Sequence, residues 1–365
     1  MKKIFKFKEW FYPRLNKPNN YFDRLESSIH INLQSPEMIE WFPSPQCNAK
    51  CLYCSSDTDP GTSQAIIALP QMIEIIQSLS SQGIKVWNIG GRWGEPLLYP
   101  QLLDILKTIK TAKLYGILIT NGLLLNEKFI EELAAIKWEL LKISLDSHRK
   151  EIHDKIRGSQ GSFAQIDSSL KFLKKLKQKQ KFPYSLCCPV ITNQTYLYLH
   201  EYIEYCIENQ VDEIEFMPIH NIGVNNNAQK FLLSNEEIKE FLKLAKKKIK
   251  ESRIKHNLHF IINHYEQKTT KTEPVYNSRN LYCIHLWKTL VISEEGHLCP
   301  CSAIKDISFK VTGNDYLGAW KSTEMNKLRQ KILKGEFIEP GACKECCGPL
   351  RNETLKFNRY LDSKN

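Results

Sequence analysis

The twelve cysteines of this 365-residue chain are the residues best equipped for chemistry, and they are grouped rather than scattered. Three stand in Cys47-Asn48-Ala49-Lys50-Cys51-Leu52-Tyr53-Cys54, a C-x₃-C-x₂-C spacing on one short loop. Thiolates so placed can converge on three corners of a cubane iron–sulfur cluster. Three local thiolates leave the fourth iron open, and an open position is where a metal site takes up a substrate or cofactor. Zinc and buried thiols are the alternatives. Zinc needs a fourth ligand, and none lies at normal spacing, Asp57 and Asp59 being poor partners for a three-cysteine set. Six more cysteines fall between residues 281 and 350, in Cys283, Cys299-Pro300-Cys301 and Cys343-Lys344-Glu345-Cys346-Cys347. The grouping points to metal there as well.

The elements that must position these groups follow from periodicity. Met38–Phe42 reads as a strand running directly into the Cys47 loop. Pro70 suits the first turn of a helix whose apolar face is Met72, Ile73, Ile75, Ile76 and Leu79. Strands follow at Val86–Ile89, Leu114–Thr120, Leu140–Leu145, Tyr184–Val190 and Glu213–Met217, with helical patterns between them and a last one at Ile238–Ile249. Strands alternating with helices imply an α/β fold with a parallel sheet and right-handed crossovers. Chemistry in such folds sits at the C-terminal ends of strands. Strand alternation aims one of Cys187 and Cys188 inward, where a thiol could donate a hydrogen atom; Cys206 lies on an apolar helix face. His148 and His153 stand near a strand end as candidate bases, although a solvated loop histidine is the commoner outcome.

The cysteine loop resembles the signature of the radical S-adenosylmethionine (SAM) superfamily, which carries an aromatic residue, here Tyr53, before its last cysteine. The resemblance implies a [4Fe-4S] cluster on Cys47, Cys51 and Cys54, with SAM chelating the open iron. One electron cleaves SAM to methionine and a 5′-deoxyadenosyl radical, which takes a hydrogen atom from the substrate. Further segments agree in the family's order. Gly94-Glu95-Pro96 matches the turn whose backbone binds the SAM amino group, although its lead-in Gly90-Gly91-Arg92-Trp93 is longer than usual. Thr120-Asn121-Gly122 closes the third strand, and Ser144-Leu145-Asp146 ends the fourth, with Arg157-Gly158 beyond. The resemblance places Tyr53, Gly94, Glu95, Pro96, Asn121, Ser144 and Arg157 at SAM, and it implies a partial (β/α)₆ barrel of the TIM type. A guanidinium such as Arg157 can fork onto a carboxylate.

The C-terminal cysteines resemble the auxiliary-cluster extensions called SPASM and twitch domains. Gly296-x₄-Cys301 with Pro300, then Cys343 and Cys346, fits their pattern together with Cys283. Cys299 competes with Cys301, and Cys347 with Cys346. No cysteine follows Cys347, so the single-cluster twitch form matches better. A Cys₄ zinc site has the same spacing. The expected organisation is an N-terminal extension at 1–37, a barrel at 38–250 and an auxiliary-cluster domain at 251–365.

Composition narrows the rest. Hydrophobic residues make up 42% and charged residues 25%, as in folded chains. No apolar run is long enough to span a bilayer. Met1–Lys17 has no apolar core or cleavage site, so no secretory signal or membrane role is expected. The chain is expected in the cytoplasm, where thiols stay reduced. The net charge is +11, but the lysine runs at 171–181 and 243–250 read as solvated helix faces, and no nucleic-acid motif is present. The expected partners are an external one-electron donor of the flavodoxin or ferredoxin type and a substrate. A small or sugar-like alcohol is the first expectation, since only about 36 residues precede the barrel. A peptide or protein side chain is the alternative, and a non-catalytic zinc or electron-transfer protein is the rival of another class.

Overall fold

The structure, a computed structural model, describes residues 35–54, 66–90, 94–219, 226–269, 283–304, 306–334, 336, 338 and 343. Its strands are β1 (Met38–Trp41), β2 (Val86–Ile89), β3 (Tyr115–Thr120), β4 (Leu140–Ile143), β5 (Tyr184–Cys187), β6 (Val190–Ile191), β7 (Glu213–Ile214), β8 (Met217–Pro218), β9 (Lys255–His256), β10 (Thr289–Ile292) and β11 (Leu298–Cys299). The helices are α1 (Leu69–Ser81), α2 (Leu102–Thr111), α3 (Glu127–Ala135), α4 (Lys150–Arg157), α5 (Ser162–Lys177), α6 (Leu199–Glu208), α7 (Asn235–Glu251), α8 (Leu258–Thr269), α9 (His285–Lys288), α10 (Tyr316–Trp320) and α11 (Thr323–Leu333).

Nine strands form one sheet in the order β11-β10-β1-β2-β3-β4-β5-β7-β9, parallel throughout except for the β10–β11 pair. This open, mostly parallel α/β sheet accords with a partial barrel. Alternation along each strand gives the sheet two faces. Ile39 and Trp41, Trp87 and Ile89, Leu118, Leu141 and Ile143, and Cys187 pack against the helices in the main core. Met38, Val86, Ile117, Leu140 and Leu186 pack together on the opposite, inner face, with Cys188 beside them. Cys188 is therefore the member of the pair that faces inward.

Two expected strands divide in the structure. The segment at 184–190 becomes β5 and β6, and the segment at 213–217 becomes β7 and β8, with β6 and β8 pairing separately. Pro189 is the physical cause in the first, since it has no N–H for the ladder. Its carbonyl instead accepts the Met217 N–H at 2.9 Å. Helix α4 was not expected. It is short and polar, and Gly158 ends it in the left-handed conformation at φ +57°.

The sheet continues past residue 250. β9 pairs with β7, and β10 lies parallel to β1, with Trp41 opposite Ile292. Gly296, at φ +84°, turns β10 back into β11, and the Tyr316 hydroxyl donates to its carbonyl at 2.8 Å. Residues 1–34 of the N-terminal extension, Gly91–Trp93, Cys346 and Cys347 lie outside the described residues.

Gly116 in β3 faces Trp138, and a Cβ there would come within 2.3 Å of the indole ring. Gly116→Ala should destabilise the chain by roughly 1–3 kcal/mol, as overpacking does. A urea unfolding midpoint equal to the parent's would show that this contact is not tight.

Candidate functional site

The Cys47–Cys54 loop hangs from the C-terminal end of β1 and is pinned on two sides by main chain. Lys50 N–H donates to Arg157 O at 3.0 Å and Leu52 N–H to Ile156 O at 2.9 Å, so the loop rides on the end of α4. On the other side Glu95 N–H donates to Gln46 O at 2.8 Å. Two glycines permit this closeness. A Cβ on Gly158 would stand 2.2 Å from Lys50 O, and one on Gly94 would stand 1.8 Å from Ser44 O. Both have positive φ, which a side chain disfavours.

Glu95 is buried, and its carboxylate is fully engaged within the fold. Oε1 accepts from Thr120 Oγ1 at 2.6 Å and Leu97 N–H at 3.0 Å, and Oε2 accepts from Asn121 N–H at 2.8 Å. It thus ties the Gly94–Pro96 turn to the end of β3. Burial still pushes its carboxyl above the ordinary value. Contact with a ligand at this turn falls to the main chain. Asn121 Nδ2 donates to Asn48 Oδ1 at 2.7 Å and reaches Cys47 Sγ at 3.6 Å, while its Oδ1 accepts Leu123 N–H at 2.9 Å.

Arg157 sits at the last position of α4 and points into the loop. Its Nε lies 2.6 Å from Asp146 Oδ2, and Nη1 lies 3.7 Å from Cys51 Sγ. Asp146, just past β4, also accepts the Tyr53 hydroxyl at 2.8 Å and Val190 N–H at 3.1 Å on Oδ1. Tyr53 packs edge-on to Phe231 at 6.4 Å, among Leu52, Val190 and Ile219. Ser144 is half-buried on the same strand end, its N–H donating to Thr120 O at 2.9 Å.

His153 is not the solvated loop residue expected. It is wholly buried on α4, and its Nδ1 accepts Asp146 N–H at 3.2 Å. Burial lowers its pKa to about 4, so the ring is neutral and braces Asp146. His148 is half-buried between Tyr198 and Tyr205, and burial lowers its pKa also.

The loop suits an iron–sulfur cluster. The three sulfurs lie close enough that charge on Cys47 or Cys54 raises the pKa of Cys51, which burial brings to about 11. Thiolates in this setting need a counter-charge, which cluster iron supplies. Arg157 and Asn121 direct N–H groups at two of the sulfurs, the kind of hydrogen bond that tunes such clusters. Among the described residues no three Cys, His, Asp or Glu side chains converge tightly enough for a single ion.

The C-terminal cysteines separate by face. Cys299 is buried against Phe42 and Val291, whereas Cys301 shares a small cluster around Ile304 with Cys343. Cys301 Sγ accepts Ala303 N–H, and Cys283 Sγ accepts His285 N–H, each at 3.3 Å.

Several polar residues that share the inner face with Cys188, namely Glu40, Asn88, Lys142 and Glu215, are not among the candidates that motif and spacing pick out. The available signal was a charged residue inside an otherwise apolar strand, as at Lys142 in Leu140–Ile143.

Residues 41–206 match the family described as the radical SAM superfamily. The AdoMet-dependent heme synthase of Methanosarcina barkeri is 28% identical over 152 residues, which is 42% of each chain. This chain therefore spans less than half of that relative. The antilisterial bacteriocin subtilosin biosynthesis protein AlbA of Bacillus subtilis is 24% identical over 97% of this chain and 78% of its own length. Among solved structures, Streptococcus suis SuiB bound to precursor peptide SuiA superposes with a TM-score of 0.65 over 93% of this chain and 81% of SuiB. At 16% identity that likeness shows a shared fold.

Two substitutions test the geometry. Gly158→Ala should push the loop off α4 and weaken cluster retention about 10–100-fold, the range for lost supporting contacts; chelator titration of the reconstituted protein reads this, and parent-like iron retention would refute it. Asp146→Asn leaves Arg157 buried without its counter-charge and should cost about 3–5 kcal/mol in denaturant unfolding of the metal-free chain. A loss below about 1 kcal/mol would mean that the pair is screened as at a surface.

Proposed function

We propose, for a chain that belongs to the radical SAM superfamily, that it is an enzyme modifying a side chain of a peptide substrate. The observation that carries the reading is the match to AlbA, a bacteriocin biosynthesis protein, which runs through 97% of this chain rather than through the barrel motifs alone. The fold shared with SuiB, solved with a precursor peptide, supports the same choice. This moves the first expectation from a small or sugar-like alcohol to the peptide alternative.

In this reading Cys47, Cys51 and Cys54 hold the [4Fe-4S] cluster. With SAM bound there, the cluster would supply one-electron chemistry able to remove hydrogen from an unactivated C–H bond. The chain's own residues bind and orient. The main chain of Gly94, Glu95 and Pro96 and the side chain of Asn121 border the SAM amino-acid end. Arg157, beside Cys51 and paired through Nε with Asp146, would offer its remaining guanidinium N–H groups to the SAM carboxylate. Ser144, at the end of β4, and Tyr53, packed edge-on to Phe231, would complete the SAM site. Asp146 and His153 position Arg157 and the end of β4 rather than touching substrate. The second cluster takes Cys283, Cys301, Cys343 and Cys346, with Cys301 favoured over Cys299 because it gathers with Cys343. The electron comes from a flavodoxin- or ferredoxin-type donor, as suits a cytoplasmic enzyme.

Anaerobically reconstituted protein with dithionite and SAM should release 5′-deoxyadenosine, and Cys51→Ala should abolish the release; persistence of cleavage in that variant would refute the assignment. A peptide carrying deuterium at the reacting carbon should pass the label to 5′-deoxyadenosine. Transfer from a small alcohol and from no peptide would overturn the substrate class. Cys343→Ala should bind about half the parent's iron, as loss of one of two equal clusters requires. Unchanged iron content would remove the second cluster.

A further inference from the structure

The inner face of the sheet carries a polar arc one level below the cysteine loop. Glu40 of β1 stands opposite Asn88 of β2, and Asn88 Nδ2 donates to Glu40 Oε1 at 3.2 Å. Further round, Lys142 of β4 and Glu215, just past β7, form an ion pair at 2.6 Å, and the Cys188 thiol reaches the same carboxylate oxygen at 3.8 Å. The level beneath is apolar: Met38, Val86, Ile117, Leu140 and Leu186.

The two halves of the arc differ in how far they are satisfied. The Lys142 ammonium is matched by Glu215 at contact distance. Glu40 Oε2 and Asn88 Oδ1 are buried acceptors without a hydrogen-bond partner among the described residues, and Asn88 is only 6% exposed. The Ser302 hydroxyl also bonds the Glu40 carboxylate, and His285 Nε2 lies 3.9 Å from Oε2, beyond hydrogen-bond reach, so Oε2 stays unmet. Leaving one buried acceptor unmet costs about 1–3 kcal/mol, so two such acceptors on paired residues of adjacent strands mark a place for a donor. Charge agrees: the arc holds two carboxylates and one ammonium. Burial raises the Glu40 carboxyl to about 7, and a bound cation would return it to its ionised form.

We propose that Glu40 and Asn88 form a recognition site for a hydrogen-bond-donating cation, the ammonium or guanidinium of a basic side chain of the substrate. That the cation is carried by a peptide rests on the function proposed above; the site itself does not. Lys142 and Glu215 serve as a neutral wall, so an anionic group finds no unmatched cation in the arc. The position, on the inner face directly below the Cys47–Cys54 loop, would anchor a basic residue of the substrate while neighbouring carbons face the loop.

The test uses the full chain with its clusters reconstituted. Blocked pentapeptides, acetyl-Gly-Gly-X-Gly-Gly-amide with lysine, arginine or norleucine at X, are titrated calorimetrically beside n-butylammonium as a carrier-free cation. The lysine or arginine peptide should bind about tenfold or more tighter than the norleucine peptide. Glu40→Gln, which keeps shape and removes charge, should erase that preference, and Asn88→Leu should weaken it. Iron content and thermal midpoint report folding of each variant; if Glu40→Gln does not fold, Asn88→Leu decides. Glu40-dependent binding of n-butylammonium with no binding of any peptide would keep the site and remove the peptide reading. Equal binding of lysine and norleucine peptides, a preference that survives both substitutions, or no binding by any probe would overturn the site.

Discussion

The ion pair between Asp146 and Arg157 gathers one flank of the candidate site. Asp146 stands at the end of β4, Arg157 at the end of α4, Tyr53 inside the cysteine loop and Val190 at the start of β6, and one carboxylate meets all of them. Two buried charges gain little net stability, because desolvation offsets most of their attraction. Their effect is on specificity of arrangement. With one oxygen facing Arg157 and the other taking two donors, the carboxylate is satisfied in one arrangement of the surrounding elements only. The same pairing sets a guanidinium 3.7 Å from Cys51 Sγ, which favours the thiolate there against the cost of burial.

Glu95 does comparable work on the other flank. Its three accepted hydrogen bonds fasten the Gly94–Pro96 turn to Thr120 and Asn121, so the ends of β2 and β3 move as one piece. The loop between these flanks is held mainly by backbone hydrogen bonds, which makes glycine the necessary residue at the points of closest approach. Neither Gly94 nor Gly158 could carry a Cβ without displacing a carbonyl of the loop.

Much of this was legible in the sequence because it is local. The C-x₃-C-x₂-C spacing, the alternation of strand and helix, and the polar motifs after β2, β3 and β4 depend on residues close in the chain. The amphipathic face of α1, with Met72, Ile75, Ile76 and Leu79 buried, is read directly from its period. What escaped depends on distant partners. Helix α4 offers only an eight-residue, mostly charged segment whose buried side chains, His153 and Arg157, are polar. Its burial makes sense once Asp146 is placed beside it. The unmatched acceptors of Glu40 and Asn88 become visible once β1 and β2 are in register. The break between β5 and β6 was signalled by Pro189, a residue that local reading could have weighed more heavily.

The placement of β10 carries the largest consequence of this non-local kind. A strand more than two hundred residues from β1 in sequence lies parallel to it, Met38 opposite Thr289 and Trp41 opposite Ile292. Parallel neighbours present their C-terminal ends at one edge of a sheet. The Cys47 loop leaves β1 at that edge, and the turn leading to Cys299 and Cys301 leaves β10 at the same edge. From that turn the antiparallel β11 runs back alongside β10, with Cys299 opposite Val291. Glu40 lies on the shared boundary, opposite Val291 and Asn88 in adjacent strands. The inner face is thereby bordered by both parts of the chain, β10 on one side of β1 and β2 on the other.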